Sequence, residues 1–352
     1  MNALENMIKL DANELAYPLS ETQIEKLRAE LDLQKLNRYP DADAIELLEA
    51  YSAYIGIPQS QIIAGNGSDE VLDLIYKAFT TPKDIVLSVD PSFVMYEIMA
   101  SIYKCEFRRY QPEAYYGLTP DNFIEYVEIL KPKLIFICNP NNPTGALLNP
   151  EDLIKIIKST DAYVVIDEAY GEFICDRFMD YSLLNKIDEL PNLIVLKTLS
   201  KACGLAGLRI GFGLSNAANM AKLYSCKYPY TISNLSQALG IALLKSDFKE
   251  TINSNRLQII ETRDRLIGEL KQYKALEVFD SYANFIWMKI DSEQISKEYF
   301  LEAFAAKNIK IRYFKKDYLA DYFRITVGTE YEAQQVMACI DAVLGLERAA
   351  GQ

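Results

Sequence analysis

Histidine is absent from this chain of 352 residues. Without it, a Ser-His-Asp triad, a Cys-His nucleophile pair and a histidine-ligated zinc site are all impossible. Any proton transfer must therefore use lysine, tyrosine, aspartate, glutamate, cysteine or water. The absence narrows the possible chemistry to mechanisms in which an amine, a carboxylate, a phenol, a thiol or water carries the proton.

Basic residues are also scarce relative to acidic ones. Lys and Arg total 37 against 49 Asp and Glu, a formal net charge of -12. Such a chain is a poor candidate for binding nucleic acid or an anionic membrane, so we expect small-molecule partners. The six cysteines lack C-x-x-C or metal-knuckle spacing, which predicts reduced thiols in a cytoplasmic protein and no metal site. The longest apolar runs are only about as long as a strand, and residues 1–14 lack the pattern of a secretion signal.

The length and the hydrophobic pattern predict two packed lobes, because 352 residues exceed the usual size of a single core. Residues 68–79 place their apolar side chains on one helical face, with Ser68 suited to the N-cap. Strands are predicted at 85–89, 134–138, 162–166, 193–196 and 209–214. Nearly continuous apolar strands that alternate with helices are typical of a mainly parallel, doubly wound α/β sheet.

After about residue 235 the pattern changes to that of a smaller α+β lobe. One long helical stretch is predicted from roughly 235 to 274, with further helices near 298–306 and from about 330. The strand-like runs are 276–279, 284–290 and 322–327.

The sharpest chemical feature is the segment 198–211, which contains Ser200-Lys201 and Arg209 and directly follows a predicted strand. Ligands of open α/β sheets bind at the carboxyl ends of strands. A lysine among small and apolar residues there is partly desolvated, which lowers its pKa toward that of a usable nucleophile. The flanking hydroxyl and guanidinium groups suit an anion such as phosphate.

Three further polar segments lie where predicted strands end or helices begin. Asp167-Glu168-Ala169-Tyr170 places a carboxylate after one strand, and the Pro- and Gly-containing turn 139–145 presents asparagine after another. Gly65-Asn66-Gly67 precedes a helix, whose free N–H groups form a phosphate cradle. Each segment alone has an ordinary structural explanation. Together they supply an amine, a carboxylate, an amide and an anion site.

With these motifs, the chain resembles the fold-type I pyridoxal-phosphate aminotransferases over nearly its whole length, most closely the histidinol-phosphate branch. The resemblance rests on Asn-Pro-Thr-Gly, Asp-Glu-Ala-Tyr, Leu-Ser-Lys-Ala, Leu-Arg-Ile-Gly and Phe-Arg-Ile-Thr-Val-Gly, with the opening Leu-Asp-Ala-Asn-Glu at 10–14 and Asn-Arg-Tyr-Pro at 37–40. It implies the aspartate aminotransferase-like fold, with a large cofactor-binding domain at 36–259. The small domain would combine residues 1–35 with 260–352.

The resemblance also implies which residues bind pyridoxal 5'-phosphate. Lys201 would attach the cofactor and carry a proton, Asp167 would keep the pyridine nitrogen cationic, and Tyr170 would hydrogen-bond the phenolic oxygen. The other implied contacts are Asn142 at the phenolic oxygen, Phe93 stacked on the ring, and Ser68, Asp69, Ser200 and Arg209 at the phosphate. The family often has tyrosine where this chain has Phe93, a change that preserves stacking.

For the substrate, the resemblance implies that Arg324 and Arg312 clamp an anionic group, with Asn142 and Tyr17 beside them. Two arginines suit a phosphate dianion better than a lone carboxylate. The stretch around Tyr17 departs from the family's usual Asn-Pro-Tyr, so its match is loose. Tyr39 is expected to reach the phosphate of a neighbouring subunit's cofactor, which would make the active unit a homodimer with shared active sites.

The expected reaction is transamination of L-histidinol phosphate with 2-oxoglutarate, in histidine biosynthesis. An aromatic aminotransferase or a threonine-phosphate decarboxylase would share the cofactor residues, and the motifs leave both open. A dinucleotide-binding protein built on Gly65-Asn66-Gly67 lacks the third glycine of that fingerprint and leaves Lys201 and Asp167 unexplained. A regulatory protein that carries the fold is a further alternative, but no appended module or charge run suggests one.

Overall fold

The computed structural model describes residues 7–31, 36–112, 116–245 and 248–344. Within these ranges the chain forms two sheets flanked by helices. The strands are β1 (Ile8–Leu10), β2 (Ile62–Asn66), β3 (Ile85–Val89), β4 (Glu106–Tyr110), β5 (Leu134–Cys138), β6 (Tyr163–Asp167), β7 (Leu193–Thr198), β8 (Ile210–Ser215), β9 (Leu276–Val278), β10 (Phe285–Ile290), β11 (Ile309–Tyr313) and β12 (Tyr322–Thr326). The α-helices are α1 (Glu21–Ala29), α2 (Ile45–Ile55), α3 (Ser68–Phe79), α4 (Met95–Ile102), α5 (Pro120–Leu130), α6 (Pro150–Lys158), α7 (Ala217–Cys226), α8 (Asn234–Lys245), α9 (Phe248–Leu270), α10 (Lys297–Ala306) and α11 (Glu330–Leu344).

The larger sheet has the strand order β2-β8-β7-β6-β5-β3-β4. Its strands pair in parallel except β8, which is antiparallel to both β2 and β7. Along β6, Val165 packs into one hydrophobic cluster, while Val164 and Ile166 pack into the other. The sheet is therefore covered on both faces, and the predicted mainly parallel α/β fold is confirmed.

The five predicted strands of this sheet lie within two residues of the observed bounds. Two strands were missing from the prediction, β2 and β4. In β2, Gly65 and Asn66 belong to the segment interpreted as a phosphate turn. In β4, the sequence Glu-Phe-Arg-Arg-Tyr is largely exposed, because this strand forms one edge of the sheet and carries charge.

The smaller sheet has the order β1-β11-β12-β10-β9. Strand β1 runs parallel to β11, with Ile8 opposite Ile309, so the N-terminal segment joins the C-terminal lobe. The predicted domain limits at 36 and 259 stay a prediction, and α9 runs across the second of them. Residues 1–6, 32–35 and 345–352 of the predicted small domain lie outside the described residues.

The helical stretch expected from 235 to 274 is observed as α8 and α9, and the two residues between them, 246 and 247, lie outside the described part. One local prediction was wrong. Ser68 is the first residue of α3, and Gly67 with a φ of 79° occupies the N-cap instead. Among the described residues, no helix is long and apolar enough to cross a membrane.

Candidate active site

Lys201 lies in the turn after β7, at the carboxyl edge of the larger sheet. Its Nζ donates to the carbonyl oxygen of Ala12 at 3.2 Å and lies 5.6 Å from the centre of the Tyr170 ring. Burial lowers the pKa of Lys201 to about 8, and the positive charge of Arg324 acts in the same direction. A substantial fraction of the amine is therefore neutral near physiological pH and available as a nucleophile.

Asp167 ends β6 and is buried. Its Oδ2 accepts a hydrogen bond from the Tyr96 hydroxyl at 2.7 Å, and its Oδ1 accepts from the backbone N–H of Ala169 at 3.1 Å. Burial raises the pKa of Asp167, and these two hydrogen bonds oppose the shift. Both donors are neutral groups, so a cation placed against this carboxylate would be favoured.

The Tyr170 hydroxyl is buried where two asparagine amides meet. It accepts from Nδ2 of Asn13 at 3.0 Å and from Nδ2 of Asn142 at 3.3 Å. Two amide donors leave the phenolic proton of Tyr170 directed toward a further acceptor. Burial raises the pKa of Tyr170, which keeps the phenol protonated.

The start of α3 approaches β8 so closely that only glycine fits between them. A Cβ on Gly67 would lie 2.5 Å from Nη2 of Arg209, and one on Gly211 would collide with the backbone nitrogen of Ser68. Arg209 Nη2 pairs with Oδ2 of Asp69 at 3.1 Å, and Ser200 is buried in the neighbouring turn. The four residues predicted to hold phosphate therefore lie in neighbouring turns, and a guanidinium borders the N-terminus of α3.

Arg324 and Arg312 occupy directly paired positions on β12 and β11. Arg324 is 7% exposed, and burial followed by the charge of Arg312 lowers its pKa to about 10. Its Nη1 donates to Oδ1 of Asn142 and its Nη2 to the carbonyl of Asp11, both at 2.6 Å. Its Nε is buried and has no hydrogen-bond partner among the described residues. A buried donor without a partner, next to a second guanidinium, suits an anionic ligand.

The side chains of the other three predicted residues have no hydrogen bond to this cluster among the described residues. Phe93 is half-buried and packs edge-on against Tyr96, with ring centres 5.6 Å apart. Tyr17 packs against the core near α11, where burial and the charges of Glu330 and Glu332 raise its pKa. Tyr39 is 82% exposed and stacks on Tyr230, so it contributes nothing to the site within its own chain.

Two residues of the site were not singled out by the sequence motifs. Tyr96 lies in the first turn of α4, three residues after Phe93, and this closeness in sequence to a predicted site residue could have indicated it. Asn13 falls within the 10–14 stretch that carries part of the resemblance, but its backbone N–H donates to Oγ1 of Thr326 and its carbonyl accepts from Asn284. These long-range contacts leave no local signature in the sequence.

These residues fit the cofactor that the resemblance implies. The chain offers a carboxylate for a pyridinium, a phenol and an amide for a phenolic oxygen, and an amine for an aldehyde. The glycine-lined start of α3 with Arg209 suits a phosphate, because a Cβ at Gly67 would obstruct the close approach of backbone and guanidinium.

Comparison with known proteins gives a consistent picture. The family model for aminotransferase class I and II matches residues 5–340. A histidinol-phosphate aminotransferase from Thermoanaerobacter sp. (strain X514) is 39% identical over 323 residues, covering 91% of this chain and 88% of the relative. One from Clostridium kluyveri is 36% identical over 341 residues, covering 97% and 94%. The crystal structure of the Sinorhizobium meliloti histidinol-phosphate aminotransferase in complex with pyridoxal-5'-phosphate superposes with a TM-score of 0.84 at 20% identity, covering 96% of this chain and 91% of that one.

Proposed function

The chain belongs to the class I and II aminotransferase family, and from this premise we propose that it transfers the amino group of L-histidinol phosphate to 2-oxoglutarate. The products are imidazole acetol phosphate and L-glutamate, in histidine biosynthesis. The enzyme is a pyridoxal-phosphate-dependent aminotransferase. The proposal places it in the cytoplasm, which agrees with six cysteines that are all free.

One observation carries the choice of substrate: the cross-strand pair of Arg312 and Arg324, with Nε of Arg324 buried and lacking a partner among the described residues. A phosphate dianion can accept hydrogen bonds from both guanidinium groups at once. In a ping-pong reaction the oxo acid enters the same pocket after the first product leaves, so one of its carboxylates would use these arginines in turn.

The remaining roles follow from the positions of the chain's own groups. When bound, the cofactor supplies an electron sink for the negative charge that develops at the substrate carbon. Asp167 would stabilise the positive charge of the ring nitrogen, and the Tyr170 hydroxyl would donate a hydrogen bond to the phenolic oxygen. Lys201 would hold the cofactor through Nζ between turnovers, and during turnover the same Nζ would move a proton from the substrate carbon to the cofactor carbon two bonds away.

The proposed active unit is a homodimer that shares its active sites. Support comes from exposed apolar side chains spaced four residues apart, namely Val94 at the N-cap of α4 and Ile98 and Ile102 within it. Such a stripe is typical of a surface that another protein covers. Tyr39, which protrudes from its own chain, would enter the partner's site.

The visible absorption spectrum of the purified protein tests the donor. Adding L-histidinol phosphate without an oxo acid should bleach the bound cofactor, and 2-oxoglutarate should restore the colour. Lys201→Ala is the control and should show no turnover, because it lacks the amine that carries the proton. Bleaching only by phenylalanine or tyrosine would move the enzyme to the aromatic branch, and release of carbon dioxide would identify a decarboxylase.

A further inference from the structure

Asp90 is a buried carboxylate outside the cofactor cluster. It directly follows β3 and is 5% exposed. Its Oδ1 accepts from Nζ of Lys316 at 2.8 Å, and its Oδ2 accepts from the Tyr318 hydroxyl and from Nε2 of Gln111, the latter at 3.2 Å. Burial raises the pKa of Asp90, but these hydrogen bonds outweigh it and lower the pKa below its usual value, so the group is charged.

These contacts connect the two lobes. Lys316 and Tyr318 belong to the segment between β11 and β12 of the smaller sheet, whereas Asp90 follows β3 of the larger sheet. The turn that contains Asp90 is also hydrogen-bonded to the turn 139–145. Asn141 Nδ2 donates to the carbonyl of Pro91 at 2.9 Å, and Ser92 Oγ donates to Oδ1 of Asn141 at 2.9 Å.

A cleft of about 170 Å³ lies beside this connection. Phe93 and Pro143 line it from the larger lobe, and Arg312, Phe314 and Lys316 line it from the smaller lobe. Arg312 is exposed, and its guanidinium lies 5.9 Å from the Phe314 ring. The Arg312 side chain itself is therefore held weakly, whereas the segment that follows it is held by Asp90.

We propose that Asp90 is a positioning residue. By anchoring Lys316 and Tyr318, it holds the 314–318 segment across the cleft. The position of this segment in turn orients Arg312 toward the anionic end of the substrate. The proposal rests on the proposed function for the identity of that substrate, but the anchoring itself does not. A misplacement of about 1 Å is enough to weaken a bidentate contact strongly.

The chain contains its own reporter of the anchoring. Trp287 is the single tryptophan of the sequence and is fully buried. It packs edge-on against Phe314, with ring centres 5.1 Å apart, and shares a hydrophobic cluster with Leu319 and Tyr318. Release of the segment would expose the indole, so quenching of its fluorescence by acrylamide reports on the anchor without any substrate.

The test uses Asp90→Asn in the holoenzyme, with Tyr318→Phe as a milder second variant. Asp84→Asn is the matched control, because it makes the same change immediately before β3. Among the described residues, the Asp84 carboxylate accepts hydrogen bonds only from Thr81. Asp90→Asn should increase acrylamide quenching and raise the KM for L-histidinol phosphate about tenfold, with kcat within about twofold of the wild type. Asp84→Asn should change neither the quenching nor the KM.

Combining Asp90→Asn with Arg312→Met shows whether the effect of Asp90 on KM depends on Arg312. In Arg312→Met, adding Asp90→Asn should raise KM no further, because the two changes act on one contact. Equal increases in both backgrounds, or unchanged quenching in Asp90→Asn and Tyr318→Phe, would overturn the proposal. If the wild type does not accept L-histidinol phosphate at all, the proposed function fails, and the quenching result still decides whether Asp90 anchors the segment.

Discussion

Arg324 donates from Nη1 to Oδ1 of Asn142 at 2.6 Å, and the same amide donates to the Tyr170 hydroxyl. The arginine proposed to bind the substrate's anionic group is thereby joined, through one side chain, to the phenol proposed to contact the cofactor. This arrangement orients the guanidinium from one side, and its Nε has no partner among the described residues. The proposed substrate and cofactor contacts therefore belong to one hydrogen-bonded unit.

Replacing Arg324 by methionine should weaken substrate binding much more than cofactor binding. Loss of a buried, hydrogen-bonded charge opposite an anion costs roughly 2–5 kcal/mol, which corresponds to a KM for L-histidinol phosphate raised about 30-fold or more. Steady-state kinetics and a cofactor titration measure the two effects. Arg312→Met is the comparison and should show a smaller increase, because its side chain is exposed. Unchanged substrate affinity in Arg324→Met would remove this residue from the site.

The apoenzyme should take up pyridoxal phosphate faster as the pH rises through about 8. Lys201 attacks only as the neutral amine, and its pKa is lowered to about 8, so the reactive fraction grows above that pH. Stopped-flow absorbance at a series of pH values gives the midpoint. Since the charge of Arg324 helps to lower the pKa of Lys201, Arg324→Met should move the midpoint to higher pH. A midpoint near the usual value of about 10.4 in the wild type would contradict the burial of this amine.

Tyr96→Phe should weaken cofactor binding, although Tyr96 is not expected to touch the cofactor. Its hydroxyl donates to Oδ2 of Asp167, and without it the pKa of Asp167 rises further, so the carboxylate holds a cation less well. Loss of a hydrogen bond to a charged group costs about 1.5–3 kcal/mol, or roughly tenfold or more in cofactor affinity. Equilibrium titration measures the change. Tyr76→Phe is the matched control, because that buried hydroxyl donates to the backbone carbonyl of Tyr96; an equal loss there would indicate a general packing defect.

The fold was largely predictable because its signals are local. Strands β3 and β5 and helix α3 were predicted at their observed bounds, since each is a continuous apolar run or a one-sided helical pattern. The edge strand β4 was missed, because an edge strand can carry charged side chains. The pairing of β1 with β11 joins residues about 300 positions apart, and no periodicity reveals it.

The same distinction applies to the site. Lys201 and Asp167 were predicted from motifs that follow strands, and their roles stay predictions. Asn13 and Tyr96 act through contacts made only in three dimensions: Asn13 has a φ of 55° and meets Tyr170 at a separation of 157 residues. Asparagine tolerates the left-handed region better than most residues, but the sequence does not reveal where the chain adopts it.

The shared active site can be tested with hybrid dimers. If Tyr39 acts in the partner's site, a dimer of one Lys201→Ala chain and one Tyr39→Phe chain contains one intact site, formed by Lys201 of the second chain and Tyr39 of the first. That site should work at the full wild-type rate per site, while the Tyr39→Phe homodimer is slowed about tenfold by loss of a hydrogen bond to a charged phosphate. Differently tagged chains, mixed and purified by both tags, give the hybrid. A Tyr39 that acts in its own chain predicts a hybrid as slow per site as the Tyr39→Phe homodimer, and sedimentation that detects only monomers would exclude sharing altogether.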